Sequence, residues 1–157
     1  VETTPDVGTT FSLLLRPSEP DTEEGAAPTG MSRLPAGEER GTVLLAEDEE
    51  LVRDLAVLML EDLGFRVLTV EDGHKAVDAF RENQEEITLL ILDVVMPGLS
   101  GPDTARRIHE FRPDLPVIYA TGYSEEHLSD REDLRNAILL RKPYTREQLL
   151  NIVKDLL

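Results

Sequence analysis

The chain has 157 residues and no cysteine, so it is about the size of one domain and lacks the residue needed for disulfide scaffolds, cysteine-ligated zinc or thiol catalysis. Lysine and arginine number 16 against 32 aspartate and glutamate residues, giving a net charge of −16 that disfavours binding to nucleic acid or anionic lipid. No apolar run approaches the roughly 20 residues of a membrane span and no signal-peptide pattern opens the chain, so we expect a cytoplasmic protein.

The first 41 residues differ in composition from the rest. The chain opens with Val1 rather than methionine, and we therefore expect it to be a fragment of a longer protein. Residues 8–15 are β-branched and apolar, which predicts a strand that needs a sheet from elsewhere, with an unstructured tail as the alternative. Residues 17–41 are rich in proline and glycine and carry almost no large apolar side chains, which predicts a flexible linker.

From residue 42 onward, short apolar runs alternate with segments of helical periodicity. The apolar runs predict five strands, at 43–46, 65–70, 88–92, 115–120 and 137–140. The periodic segments predict five helices, at about 50–63, 73–83, 103–111, 125–135 and 145–157. In the first helix Leu51, Leu55 and Leu58 recur at helical spacing, and Gly64 is placed to end it. Continuous apolar runs are typical of strands buried on both faces, so we expect an α/β fold with a parallel sheet between helices.

Polar side chains follow four of the five predicted strands. Glu47 and Asp48 follow the first strand, Asp93 the third, Thr121 the fourth and Lys142 the fifth. In such sheets, ligands bind beyond the carboxyl ends of the strands. We therefore expect three carboxylates, a hydroxyl and an ammonium group to converge at one edge of the sheet.

Three carboxylates at one edge predict a divalent cation site. Without a cation they repel one another, and each raises the pKa values of its neighbours. Mg²⁺ prefers oxygen ligands and is held by a few carboxylates together with phosphate oxygens. We predict Glu47, Asp48 and Asp93 as its ligands, with the backbone carbonyl of Val95 as another. Calcium is disfavoured because the EF-hand spacing is absent.

The same set of residues predicts an acyl-phosphate site. A carboxylate beside Mg²⁺ can attack phosphorus, and Lys142 and the Thr121 hydroxyl would then contact phosphoryl oxygens. Each residue alone has an ordinary alternative role, such as a helix cap for Glu47 and Asp48, a turn cap for Asp93 or a solvated lysine. Their shared edge favours the functional interpretation.

From residue 42 to residue 157, the chain resembles the receiver domains of two-component response regulators. The resemblance rests on four motifs: VLLAEDE, LDVVMPGLSG, ATG and RKPY. It implies a flavodoxin-like, doubly wound sheet of five parallel strands in the order 2-1-3-4-5, with five helices. It also implies a cis peptide between Lys142 and Pro143.

The resemblance also implies a function. Asp93 would be phosphorylated, with the receiver accelerating its own phosphorylation and dephosphorylation. The donor would be a histidine kinase or a histidine phosphotransfer protein. Mg²⁺ would lie on Glu47, Asp48 and Asp93, and Thr121 and Lys142 would contact the phosphoryl group. We expect signalling through protein contacts at the face formed by the fourth and fifth strands and helices.

Three positions depart from the commonest family pattern. Glu47 stands where many members have aspartate, and its longer side chain would reach the metal directly or through water. Leu139 stands where the family usually has an aromatic ring that couples phosphorylation to the signalling face, which leaves the usual switch open. Val95 has no polar side chain to orient an attacking water, so we predict slow loss of the phosphoryl group.

The amino-terminal segment carries a second, shorter resemblance. Residues 8–17, with their GTTF sequence, resemble the last strand of the ATP-binding domain of histidine kinases. This implies that residues 1–16 are the end of such a domain, 17–41 a linker and 42–157 the carboxyl-terminal receiver of a hybrid histidine kinase. The missing part of such a protein could tether it to a membrane, although this chain would make no direct membrane contact.

Two alternatives to a phosphorylated receiver stay open. The first is a receiver-like module that binds partners without being phosphorylated, and the second is a phosphatase with an aspartate nucleophile. The three histidines are scattered over separate predicted helices, and we interpret them as surface or core residues: His74, His109 and His127.

Overall fold

A computed structural model of the protein describes residues 2–4, 8–10, 40–122, 134 and 137–156. The chain divides into two compact units, Val1–Ser32 and Arg33–Leu157. In the first unit, β1 (Glu2–Thr4) pairs antiparallel with β2 (Gly8–Thr10). The strand predicted over 8–15 thus begins as β2, and its remaining residues lie outside the described ones. Nearly all of the predicted linker lies outside them too.

The second unit contains one parallel sheet of five strands. The strands are β3 (Thr42–Ala46), β4 (Arg66–Val70), β5 (Ile87–Asp93), β6 (Val117–Thr121) and β7 (Ile138–Arg141). They lie in the order β4-β3-β5-β6-β7 and all pair in parallel. Counted within this sheet the order is 2-1-3-4-5, which confirms the expected fold.

Four helices flank the sheet within the described residues. They are α1 (Glu50–Asp62), α2 (Gly73–Glu82), α3 (Gly101–His109) and α4 (Arg146–Leu156). The helix predicted over 125–135 lies outside the described residues except for Leu134, which is buried. None of the described helices is long and apolar enough to cross a membrane.

The two faces of the sheet bury separate apolar cores because side chains alternate between them. Val43 and Leu45 face a cluster that includes residues of α1 and α4. Leu44 and Ala46 face a cluster with residues of α2 and α3. This two-sided burial explains why residues 43–46 of β3 and 89–92 of β5 are apolar without interruption.

Helix α3 begins earlier than the sequence predicted, at Gly101 rather than residue 103. Ser100 is its amino-terminal cap, since its Oγ accepts a hydrogen bond from the backbone N–H of Asp103 at 3.3 Å. A Cβ atom on Gly101 would lie 2.3 Å from the backbone oxygen of Asp93. Only glycine therefore allows α3 to begin directly against the end of β5.

Helix α4 begins with a capping box. The Thr145 N–H donates to Gln148 Oε1 at 2.8 Å, and the Gln148 N–H donates to Thr145 Oγ1 at 3.3 Å. These reciprocal bonds satisfy backbone donors that a helix start leaves without partners. They fix the start of α4 shortly after Lys142.

Candidate functional site

The strand register brings the predicted site residues to one edge of the sheet. Asp93 is the last residue of β5 and is paired with Ala120, one residue before Thr121. Thr121 is in turn paired with Arg141, which directly precedes Lys142. Glu47 follows the end of β3, the strand next to β5. The carboxyl ends of four neighbouring strands, β3, β5, β6 and β7, thus supply these residues, as the sequence predicted.

Lys142 links the carboxylates of two other strands. Its Nζ lies 2.6 Å from Asp93 Oδ2 and 2.5 Å from Glu47 Oε2. All three side chains are largely buried, with exposed fractions of 17% for Lys142, 12% for Asp93 and 2% for Glu47. The Lys142–Pro143 peptide is cis, as the resemblance implied. The Lys142 N–H donates to the Thr121 carbonyl at 2.8 Å.

Three carboxylates lie close enough together to share a cation. Glu47, Asp48 and Asp93 each contribute one carboxylate oxygen, and these three oxygens lie within 4.8 Å of one another. In the described part of the chain, Glu47 Oε1 is buried and has no hydrogen-bond partner. A buried carboxylate oxygen without a partner is costly, and a hard cation would satisfy it. The donor set therefore fits Mg²⁺.

The charges of this cluster perturb one another. Burial raises the pKa of Glu47, the hydrogen bond from Lys142 opposes that rise, and the charge of Asp93 adds to it. Burial alone would lower the pKa of Lys142, but its hydrogen bonds and charge interactions with Asp93 and Glu47 outweigh burial, and the pKa is raised. Lys142 is therefore firmly protonated between two acids.

The loop after β5 holds the other oxygen of Asp93. The Val95 N–H donates to Asp93 Oδ1 at 3.1 Å. Together with Lys142 on Oδ2, this bond restrains both oxygens of the Asp93 carboxylate. The Val95 side chain is exposed. The metal-ligand role of its carbonyl stays a prediction.

Thr121 lies at the end of β6, and Leu139 lies within β7. These are the fourth and fifth strands of the sheet, as the sequence predicted. Thr121 is buried at the end of β6, and its contact with a phosphoryl group stays a prediction. A Cβ atom on Gly122 would meet nothing within 4 Å, so no packing against the described residues demands glycine there. Leu139 is half-buried beside its paired residue Tyr119, against the core cluster on the α2 and α3 face.

Sequence reasoning missed a contact from α1 to this site. Arg53 Nη1 donates to the backbone oxygen of Glu47 at 2.8 Å. An arginine within an amphipathic helix usually lies on its solvated face, so the spacing gave no sign of this bond. The role of Gly101 was also missed, although Ser100 and the following Pro102 mark a helix start.

Within the described residues, the group of side chains that could share a metal ion contains no histidine. His74 is exposed on α2 beside Gly98. His109 Nε2 lies 2.9 Å from the backbone oxygen of Leu115. His127 lies outside the described residues.

The geometry is matched by similarities to known proteins. The family model of the response regulator receiver domain matches residues 43–154. The chain is 35% identical over 116 residues to the response regulator receiver protein CpdR of Brucella abortus, a match covering 73% of this chain and 95% of CpdR. It is 34% identical over 118 residues to the sensor kinase CckA of the same species. That match covers 74% of this chain but only 12% of CckA.

A solved structure resembles the chain at the level of the fold. The crystal structure of the response regulator protein TrrA of Thermotoga maritima, in complex with Mg²⁺ and BeF, has a TM-score of 0.66 and 30% sequence identity. The similarity covers 74% of this chain and 99% of that chain.

Proposed function

The chain belongs to the response regulator receiver domain family, and from that membership we propose that Asp93 is its phosphoacceptor. Receivers of this family take part in two-component phosphorelays. The observation that carries the assignment to Asp93 is the position of Lys142, whose Nζ contacts both Asp93 and Glu47. Asp93 and Lys142 thus place a carboxylate nucleophile and an ammonium group in contact at the edge of the sheet.

The proposed reaction moves a phosphoryl group from a phosphohistidine to Asp93. A carboxylate oxygen of Asp93 forms a bond to phosphorus while the bond from phosphorus to the imidazole nitrogen breaks. The nitrogen leaves with the bonding electron pair. The Val95 N–H and Lys142 restrain the carboxylate before the attack, which lowers the entropy lost in reaching the reactive geometry.

Lys142 has a second role in the proposal. Negative charge spreads over the phosphoryl oxygens in the transition state, so catalysis depends on positioning and charge neutralisation. Lys142 is held protonated by the two acids beside it, so its ammonium group supplies one such charge. The buried Thr121 hydroxyl would contact another phosphoryl oxygen.

Mg²⁺ is the proposed cofactor. Glu47, Asp48 and Asp93 would hold it, together with the Val95 carbonyl, and the partnerless Glu47 Oε1 supports this assignment. When bound, it would neutralise charge on the carboxylates and on the phosphoryl group. The complex of TrrA with Mg²⁺ and BeF further supports it.

We place the phosphodonor on the surface of α1. Leu51, Leu55 and Leu58 lie at i, i+4 and i+7 of this helix and are 79%, 51% and 66% exposed. The row begins next to the metal-site carboxylates, because α1 starts two residues after Asp48. A protein that delivers phosphohistidine to the buried Asp93 must cover this neighbourhood. Acidic residues Asp54 and Glu61 lie on the same helix, which disfavours a second copy of the chain as the occupant.

The proposed partner is therefore the phosphotransfer domain of a histidine kinase, in cis or in trans, or a histidine phosphotransfer protein. Since CckA is a sensor kinase that contains a similar segment, we further propose that this receiver comes from a hybrid kinase. Residues 1–16 would be the end of its ATP-binding domain and residues 17–41 the linker. A cytoplasmic location is part of the same proposal.

The proposal is tested by incubating the chain with acetyl phosphate and Mg²⁺ and measuring the intact mass. We expect one added phosphoryl group, no addition without Mg²⁺, and none in Asp93→Asn. Asp114→Asn is the matched control, because Asp114 is exposed in the loop before β6. A Mg²⁺-binding chain that stays unmodified and releases no phosphate would favour the interaction module. Repeated phosphate release without accumulation of the modified chain would favour the phosphatase.

A further inference from the structure

Arg53 ties helix α1 to the metal-site backbone. Its guanidinium Nη1 donates to the Glu47 carbonyl oxygen at 2.8 Å, and the side chain is half-buried. The Glu47 N–H donates to the Val70 carbonyl at 3.1 Å. The backbone of Glu47 is therefore held from both sides, by β4 through its N–H and by α1 through its carbonyl.

The bonded carbonyl belongs to the peptide that joins two of the proposed metal ligands. Glu47 lies before this peptide and Asp48 after it. Asp48 is exposed and lies beyond the last paired residue of β3, so the sheet itself does not fix its direction. The orientation of the peptide decides whether the Glu47 and Asp48 carboxylates converge on Asp93.

We propose that Arg53 is a positioning residue for the divalent cation: its guanidinium holds the Glu47–Asp48 peptide in the orientation that turns both carboxylates toward Asp93. The proposal rests on the proposed function, because it concerns the same metal site. Groups that hydrogen-bond and orient metal ligands typically change metal affinity 10–100-fold when they are removed.

The charge of Arg53 acts in the opposite direction to its hydrogen bond. A guanidinium beside the pocket repels a divalent cation, so loss of the charge alone would tighten Mg²⁺ binding. Loss of the hydrogen bond would weaken it. The direction of the change in Kd therefore separates positioning from charge. A role limited to stabilising α1 would change the unfolding midpoint and leave Kd unaltered.

The experiment compares Mg²⁺ affinity of the full chain by NMR titration in Arg53→Met and Arg53→Lys. We expect Arg53→Met to raise the Kd for Mg²⁺ about tenfold and Arg53→Lys, which keeps a charged donor, to recover part of this loss. Arg107→Met is the matched control, because it removes an exposed positive charge from α3 and should leave Kd unchanged. In metal-free samples, the Asp48 amide resonance should shift in Arg53→Met, since its N–H belongs to the bonded peptide.

An unchanged or lowered Kd in a folded Arg53→Met chain would overturn the proposal. If that variant does not fold, Arg53→Gln, which keeps a polar side chain but lacks the guanidinium, replaces it, and an unchanged or lowered Kd in that chain would overturn the proposal. Wild-type Mg²⁺ binding and modification by acetyl phosphate are measured in the same series. A wild-type chain that binds no Mg²⁺ refutes the proposed metal site and this inference together, whereas binding that is insensitive to Arg53 refutes the inference alone.

Discussion

Replacing Lys142 by methionine should destabilise the metal-free protein strongly. The substitution keeps an apolar stem but removes the charge that contacts Glu47 and Asp93. Removing one partner of a buried ion pair costs about 3–5 kcal/mol. Because Lys142 keeps an exposed fraction of 17%, we take the lower end, about 3 kcal/mol. At about 4 °C per kcal/mol for a domain of this size, Tm should fall by about 12 °C.

The loss should depend on pH. The hydrogen bond from Lys142 opposes the burial that raises the pKa of Glu47, so this pKa should rise further in Lys142→Met. A carboxyl group with a raised pKa in the folded state favours folding when protonated, and that advantage is lost as pH rises through the raised pKa. The variant should therefore lose more stability at about pH 8 than at about pH 5.

Added Mg²⁺ should restore part of the stability, since a cation that binds only the folded state stabilises it. Urea unfolding followed by circular dichroism, with and without Mg²⁺ at both pH values, measures all three effects. Lys75→Met is the matched control. Lys75 lies on the exposed surface of α2 and pairs with Glu71, which precedes the helix, and exposed pairs contribute little. If Lys142→Met is as stable as the wild type, or if its loss of stability is the same at both pH values and with or without Mg²⁺, then Lys142 does not balance the buried charges of Glu47 and Asp93.

Two further predictions concern transfer to and from the proposed phosphoacceptor. Leu55→Asp places a charge within the exposed apolar row of α1 and should slow transfer from the proposed donor, an autophosphorylated histidine kinase, about tenfold, a loss of about 1.4 kcal/mol. Transfer from acetyl phosphate should not be slowed, and equal slowing with both donors would contradict docking on α1. Val95→Asn should shorten the lifetime of the phosphorylated chain, measured by its decay in intact-mass spectra, because an amide can orient an attacking water. A wild-type lifetime of seconds at neutral pH would refute the predicted slow loss.

The layout of the sheet could be predicted because its central strands are buried on both faces. Runs such as residues 89–92 are then apolar throughout, and the polar residue that ends each run marks an edge of the sheet. Asp93 and Lys142 are separated by 49 residues in sequence, yet parallel pairing brings their side chains into contact. Because ligands bind beyond the carboxyl ends of parallel strands, the polar residues at these ends could be predicted to converge at the candidate site.

Two features could not be predicted in the same way: which face of α1 packs against the sheet, and which contacts form across the turn between β3 and α1. In α1, Leu55 and Leu60 both fit an apolar helical pattern, yet only Leu60 is buried, because the sheet covers only one face of the helix. Periodicity alone does not say which row it covers. The bond from Arg53 to Glu47 depends on the geometry of the turn between β3 and α1, which residue type does not reveal.

The most direct test of the central claim is to locate the phosphoryl group after treatment with acetyl phosphate and Mg²⁺. Borohydride reduces an acyl phosphate on aspartate to homoserine, which marks the modified position for peptide mass spectrometry. We expect homoserine at position 93 and nowhere else. Homoserine at another aspartate, the longer alcohol that a reduced glutamyl phosphate leaves, or a chain that binds Mg²⁺ and yields no homoserine would contradict this assignment.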